Sequence, residues 1–214
     1  MSKIGVFDSG VGGKSVAKAI KEALPNHTII YKNDVKNMPY ANKNPEELYK
    51  LVKPILLQLA SEGCEIIVIA CNTVSTTIYD KLKLDIKVPL LKVEPLVNIA
   101  SKQSKTGVIA VFATPTTLGS PRYKKLKAVY AKGKKVLEPD CSDWSYMIET
   151  NLIDEQKIIN TVKSVCELNA DALVLGCTHY HWIEKLIKQT AGSGVKVIQP
   201  EKYIVAKLKK RLRS

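Results

Sequence analysis

Short runs of branched apolar residues alternate along this chain with stretches of helical period, and that alternation sets the architecture. Residues 3–7, 28–33, 66–70, 90–93, 106–112, 135–137, 172–175 and 196–198 read as strands. Helical spacing falls at residues 14–24, 45–62, 96–103, 154–168, 180–190 and 202–212. A further helix reaches about residue 83, and a basic one follows the 113–117 loop. Pro54 predicts a kink inside the second helix, and Asp154 is placed to cap the helix that follows it. Residues 34–44 are irregular and long enough for a loop to invite a functional reading, and residues 138–150 are mixed. Strand and helix in regular succession predict a parallel α/β fold.

Two of these strands end in the same way. The run at 66–70 leads into Cys71-Asn72-Thr73, and the run at 172–175 leads through Gly176 into Cys177-Thr178-His179. Both thiols therefore sit at strand C-terminal ends, the edge of an open α/β sheet where ligands bind because helix N-termini point donors there. Lys3-Ile4-Gly5-Val6 is echoed by Lys105-Thr106-Gly107-Val108 at an offset of 102, and the two cysteines are 106 apart. The echo suggests a duplicated lobe, with a first α/β lobe over residues 1–93, a second over 94–201, and the last helix, 202–214, packing back on the first. Two facing lobes would place the thiols across one cleft.

Composition narrows the picture. With 214 residues and 45% hydrophobic content, the chain is an ordinary globular one. No apolar run approaches the roughly 20 residues that span a bilayer, and the N-terminus passes directly into a strand, so a cytoplasmic location without membrane contact is expected. The five cysteines lie singly, without CxxC spacing, which suggests reduced thiols rather than a disulfide framework or a zinc ribbon. The net charge of +13 is carried mainly by dispersed lysines with few aromatic residues among them. A field that attracts an anionic substrate accounts for it as well as nucleic acid would, and nucleic acid is not the expected partner.

Two facing thiols suit one kind of chemistry. Removing the α-proton of an amino acid and returning it on the other face needs a base on one side and an acid on the other, and a thiolate and a thiol fit that task. Asp8 and His179 are placed to tune one thiol each, while Asn72, Thr73, Thr114, Thr117 and Thr178 offer neutral donors for a substrate carboxylate. Gly12-Gly13-Lys14-Ser15 resembles the end of a Walker A loop, but that motif's first glycine would fall on Asp8, whose charge repels phosphate. Cys71, Cys177, His179 and His181 as metal ligands is a weaker reading, because ligands two apart at a helix start share a face poorly.

Five motifs in order carry a family resemblance: Asp8-Ser9-Gly10-Val11-Gly12-Gly13, Pro39-Tyr40, Ala70-Cys71-Asn72-Thr73, Ala113-Thr114-Pro115-Thr116-Thr117 and Gly176-Cys177-Thr178-His179-Tyr180. Together they resemble glutamate racemase, in the superfamily that includes aspartate racemases. The resemblance implies two α/β lobes with the substrate between them, Cys71 and Cys177 as the two bases, and neither pyridoxal phosphate nor metal. By matching position it implies that Asp8, His179 and Glu149 assist the cysteines. Ser9, Pro39, Tyr40, Ala41, Asn72, Thr73, Thr114, Thr117 and Thr178 would line the substrate pocket. The expected activity is interconversion of L- and D-glutamate for peptidoglycan synthesis, by a protein that acts on a small amino acid and for which a homodimer is admissible. The alternatives are a racemase of aspartate or another amino acid, and a non-catalytic basic binding protein that retains the fold.

The chain departs from the family pattern in three motifs. Ala41 stands where Gly is usual, Lys14 where Leu is, and His181 where Pro would preset the following helical turn. The chain also ends soon after Ile198, where relatives continue through a further segment, so a weakened or altered activity is one expectation. Plainer roles stand beside these: Asp8 capping the first helix, Asn72 or Thr73 capping the next, and Cys64, Cys141 and Cys166 as small core residues. His179 as a structural histidine, Glu149 as a surface acid and a solvent-facing His181 belong with them.

Overall fold

The computed structural model describes residues 1–213. Two compact units make up the chain: Met1–Glu94 with the chain from Pro200 onward, and Pro95–Gln199. Among the described residues each unit contains one four-stranded sheet, and every strand pairing is parallel.

In the first unit the strands are β1 (Lys3–Asp8), β2 (Thr28–Asn33), β3 (Ile66–Ile69) and β4 (Leu90–Lys92), in the order β2-β1-β3-β4. In the second they are β5 (Val108–Phe112), β6 (Lys135–Leu137), β7 (Ala172–Leu175) and β8 (Lys196–Ile198), in the order β6-β5-β7-β8. The two topologies are the same. Their registers also agree: Phe7 lies opposite Ile69 on β3, and Phe112 opposite Leu175 on β7. The structural repeat therefore matches Phe7 with Phe112. The Lys3/Lys105 echo is three residues out of step with it, because Gly5 lies inside β1 whereas Gly107 precedes β5 at a φ of +80°.

Burial explains the apolar runs. β3 and β7 are buried at every position, as central parallel strands covered on both faces must be. In the first unit, alternate residues go to opposite faces. Phe7, Ile67 and Ile69 join a cluster under α2 (Pro45–Ser61), with Leu48, Val52, Leu56 and Leu59. Ile4, Val6, Ile66 and Val68 face the other way, toward Val16 and Ile20 of α1 (Lys14–Ala23). Ile204 and Leu208 of the C-terminal helix, Glu201–Arg213, complete that cluster. The long helix α2 starts where its sequence dictates: the Asn44 side chain accepts from the Glu46 and Glu47 amides, the Glu47 carboxylate accepts from the Asn44 amide, and Pro45 fills the first turn.

Three boundaries differ from the sequence reading. The helix after Cys71 is two helices, α3 (Asn72–Thr77) and α4 (Tyr79–Asp85), because the Thr76 and Thr77 hydroxyls bond back to carbonyls at Asn72 and Thr73 in a run of poor helix formers. The stretch expected as a single helix over 180–190 begins as a 3₁₀ segment, Thr178–Ile183, and becomes α-helical only at Glu184–Ala191. Part of the 113–117 loop is a helical turn, Pro115–Gly119, ahead of the basic helix Pro121–Tyr130. No helix among the described residues is long and apolar enough to cross a membrane.

Leu208 is fully buried against the first sheet, although it lies more than a hundred residues beyond that sheet's last strand. Leu208→Ala is expected to destabilise the first unit by about 2–5 kcal/mol, measured by urea unfolding.

Candidate active site

Each cysteine sits at the same junction of its sheet. The Ala70 amide donates to the Phe7 carbonyl at 2.8 Å, and the Gly176 amide to the Phe112 carbonyl at 2.7 Å. These bonds close each central strand pair and release the chain at the next residue, Cys71 or Cys177. Gly176 suits the close packing there, since a Cβ would lie 3.0 Å from the Ala113 Cβ and 3.1 Å from the Phe112 oxygen.

In the first unit, β1 ends at Asp8, which is fully buried. Its Oδ2 accepts from the amides of Gly10 at 3.2 Å and Gly13 at 2.9 Å, which folds the glycine loop around the carboxylate. Gly13 sits so close that a Cβ would be 2.4 Å from the Asp8 Cβ. The Tyr31 hydroxyl donates to the Gly10 carbonyl from the neighbouring strand and pins the same loop. Cys71 precedes α3, and its thiol lies 3.5 Å from the Ser9 hydroxyl, to which it donates. Asn72 and Thr73 are buried in the first turn, and the helix has no side-chain cap, so capping does not explain them. Both polar atoms of the Asn72 side chain are buried and meet no hydrogen-bonding group of the protein.

Pro39, Tyr40 and Ala41 lie in the irregular segment, with Tyr40 starting a 3₁₀ turn, Tyr40–Asn42. The Tyr40 phenol does not stand open to a ligand. It donates to Asp34 Oδ2 at 2.6 Å, and burial, with that bond and the Asp34 charge, pushes the phenol well above its ordinary range. Asp34, Asn37 and Tyr31 are contributors the sequence reading missed. The Asp-x-x-Asn spacing of Asp34 and Asn37 is the one signal that could have found the first two.

In the second unit, Cys177 Sγ lies 3.7 Å from His179 Nδ1, and His179 Nε2 lies 2.7 Å from Glu149 Oε2. With Nε2–H donating to the carboxylate, Nδ1 is left to accept the thiol proton, and the carboxylate stabilises the imidazolium that forms. Glu149 is thus a partner of His179 and not a plain surface acid. It is presented by the last residue of Trp144–Glu149, a helix locked by Trp144 stacking on Phe112 at 5.4 Å and meeting Tyr180 edge-on at 5.3 Å. The Tyr180 hydroxyl donates to the Cys141 carbonyl. Thr114 caps the turn after β5, where its hydroxyl accepts from the Thr117 amide and donates to the Thr117 hydroxyl, and Thr178 is buried beside Cys177. His181 is partly exposed, 3.9 Å from Glu184.

Burial raises the thiols of Cys64, Cys141 and Cys166 above the ordinary range. Among the described residues no group of three or more His, Cys, Asp and Glu side chains is disposed to hold a metal ion.

Comparison with known proteins gives this geometry a class. Residues 4–208 match the Asp/Glu/Hydantoin racemase family. The chain is 38% identical to a glutamate racemase of Fusobacterium nucleatum, over 95% of this chain and 78% of that protein, and 35% identical to one of Herpetosiphon aurantiacus, over 91% and 78%. Among solved structures, glutamate racemase from Bacillus anthracis superposes with a TM-score of 0.83 at 30% identity, covering 99% of this chain and 82% of that one. Glutamate racemase from Aquifex pyrophilus gives 0.79 at 31%, covering 98% and 83%. The fold and the match define an amino-acid racemase, an isomerase. The chain belongs to the Asp/Glu/Hydantoin racemase family.

Two outcomes follow from the site's packing. Gly13→Ala must displace Asp8 or the loop around it, and is expected to destabilise the protein by about 1–3 kcal/mol in urea unfolding. Because burial disfavours its thiolate, Cys141 is expected to stay unlabelled by iodoacetamide in the native protein at neutral pH and to react once urea unfolds it; mass spectrometry of the labelled peptide checks this.

Proposed function

We propose that the chain is a glutamate racemase in which Cys71 and Cys177 act as the two bases. The observation that carries the reading is the placement of the two thiols at equivalent strand ends of duplicated sheets, each beside a polar partner: Ser9 for Cys71, His179 for Cys177. A solved relative, the glutamate racemase of Francisella tularensis, was crystallised with D-glutamate, and it is 28% identical with a TM-score of 0.81.

In the proposed reaction each unit contributes one thiol. One is present as thiolate and takes the α-proton, forming the S–H bond as the C–H bond breaks. The electron pair passes into the substrate carboxylate, whose developing charge is held by hydroxyl and amide donors. The other thiol then gives its proton to the opposite face of the α-carbon and becomes the thiolate that serves the reverse direction. On the Cys177 side, His179 takes or returns the thiol proton through Nδ1 while Glu149 holds Nε2. The buried, unpartnered Asn72 amide, with Thr73 and Thr178, supplies the neutral donors. Both thiols must stay reduced, which suits the cytoplasm, and D-glutamate would go to peptidoglycan synthesis.

The test is α-proton exchange in heavy water, followed by NMR with L- and D-glutamate and L- and D-aspartate. Wild type is expected to exchange and racemise glutamate, and Cys71→Ala and Cys177→Ala are each expected to lose racemisation by about a thousandfold or more. Folded, reduced wild type that exchanges none of the four substrates would sink the reading. Exchange of aspartate alone would transfer it to an aspartate racemase.

A further inference from the structure

We propose that Asp34, a residue outside the five motifs of the resemblance, is a positioning residue for the first thiol. It holds the two groups that flank Cys71. On one arm its carboxylate accepts the Tyr40 phenol at 2.6 Å, and Tyr40, 3% exposed, packs in the same apolar cluster as Cys71, Phe7 and Val74. On the other arm the Asp34 amide donates to the Ser9 carbonyl at 3.3 Å, and the Ser9 hydroxyl is the group that receives the Cys71 thiol. The Asn37 side-chain amide donates to both oxygens of Asp34, at 2.8 and 3.0 Å, and keeps the carboxylate turned toward Tyr40.

The chemistry of this arrangement is specific. A buried phenol needs an acceptor, and the Asp34 carboxylate provides it on the side of the ring bearing the hydroxyl. While that bond holds, the phenol stays neutral and keeps its proton, directed at the Asp34 carboxylate, so the ring meets Cys71 as an apolar wall. Without that bond the ring loses the tether that fixes its packed position, whether the carboxylate or the hydroxyl is removed. Cys71 then loses a fixed wall on one side, while the Asp34 backbone amide still holds Ser9 on the other. On the Cys177 side the thiol is instead oriented by His179 and Glu149.

The role concerns the thiol's surroundings, and only the turnover arm of its test rests on the racemase reading. Iodoacetamide labelling of Cys71 and Cys177, resolved by mass spectrometry across pH, would be compared in full-length wild type, Asp34→Ala, Asp34→Asn, Tyr40→Phe and the double variant Asp34→Ala/Tyr40→Phe. Asp34→Ala and Tyr40→Phe are each expected to speed Cys71 labelling by about threefold or more while Cys177 stays as in wild type, and the double variant is expected to match the single ones, because both break one linkage. Asp34→Asn, whose amide oxygen still accepts the phenol, is expected to label like wild type. In turnover, Asp34→Ala is expected to lower kcat by about tenfold with little change in KM, with recovery in Asp34→Asn. Unchanged Cys71 labelling in Asp34→Ala would overturn the proposal, as would equal acceleration at both cysteines or fully multiplicative effects in the double variant. A wild type without turnover would count against the racemase reading alone, since the labelling comparison still decides the role of Asp34.

Discussion

One hydrogen bond, made once in each unit, fixes where each cysteine leaves its sheet. The amide of the residue before each cysteine donates to a phenylalanine carbonyl on the neighbouring parallel strand, Ala70 to Phe7 and Gly176 to Phe112. It is the last rung of the central strand pair, so the chain leaves the sheet at the cysteine and turns into a helical segment. The residue after the phenylalanine then falls beside it: Asp8 with its glycine loop in one unit, Ala113 and the Thr114 turn in the other. The position of each thiol is a consequence of sheet register, which buried apolar strands specify strongly because a slip of one residue would turn every side chain to the wrong face.

Around that shared junction the units have diverged. The first places the Ser9 hydroxyl against its thiol, packs the Tyr40 ring in the same apolar cluster, and folds the glycine loop onto the Asp8 carboxylate through the amides of Gly10 and Gly13. The second places an imidazole backed by a carboxylate against the thiol.

The strands and the junctions were legible in the sequence because each depends on a local signal: a short apolar run, then Cys-Asn-Thr or Cys-Thr-His. What depended on contacts between distant residues was not. Nothing in the stretch between Glu149 and His179 shows that they meet; an aromatic stack of Phe112, Trp144 and Tyr180 brings them together. Asn72 and Thr73 read equally well as caps or as ligands, and only their burial beside an uncapped helix start separates the two. Of the two echoes that pointed to the duplication, the 106-residue spacing of the cysteines agrees with the register of the sheets, while the Lys-x-Gly-Val string does not. Asp34 escaped notice because its partners lie across an irregular loop where no period operates.

The most direct test of the two-thiol account is the optical course of racemisation in heavy water, begun separately from L- and D-glutamate. If each face has its own base, the proton lost from one face is replaced by deuterium on the other, and product forms deuterated while undeuterated substrate still reacts faster. The optical signal should then cross zero and return, from both starting enantiomers. A signal that falls smoothly to zero from both sides, with the original proton carried into the product, would mean a single base shuttling between faces and would contradict the account.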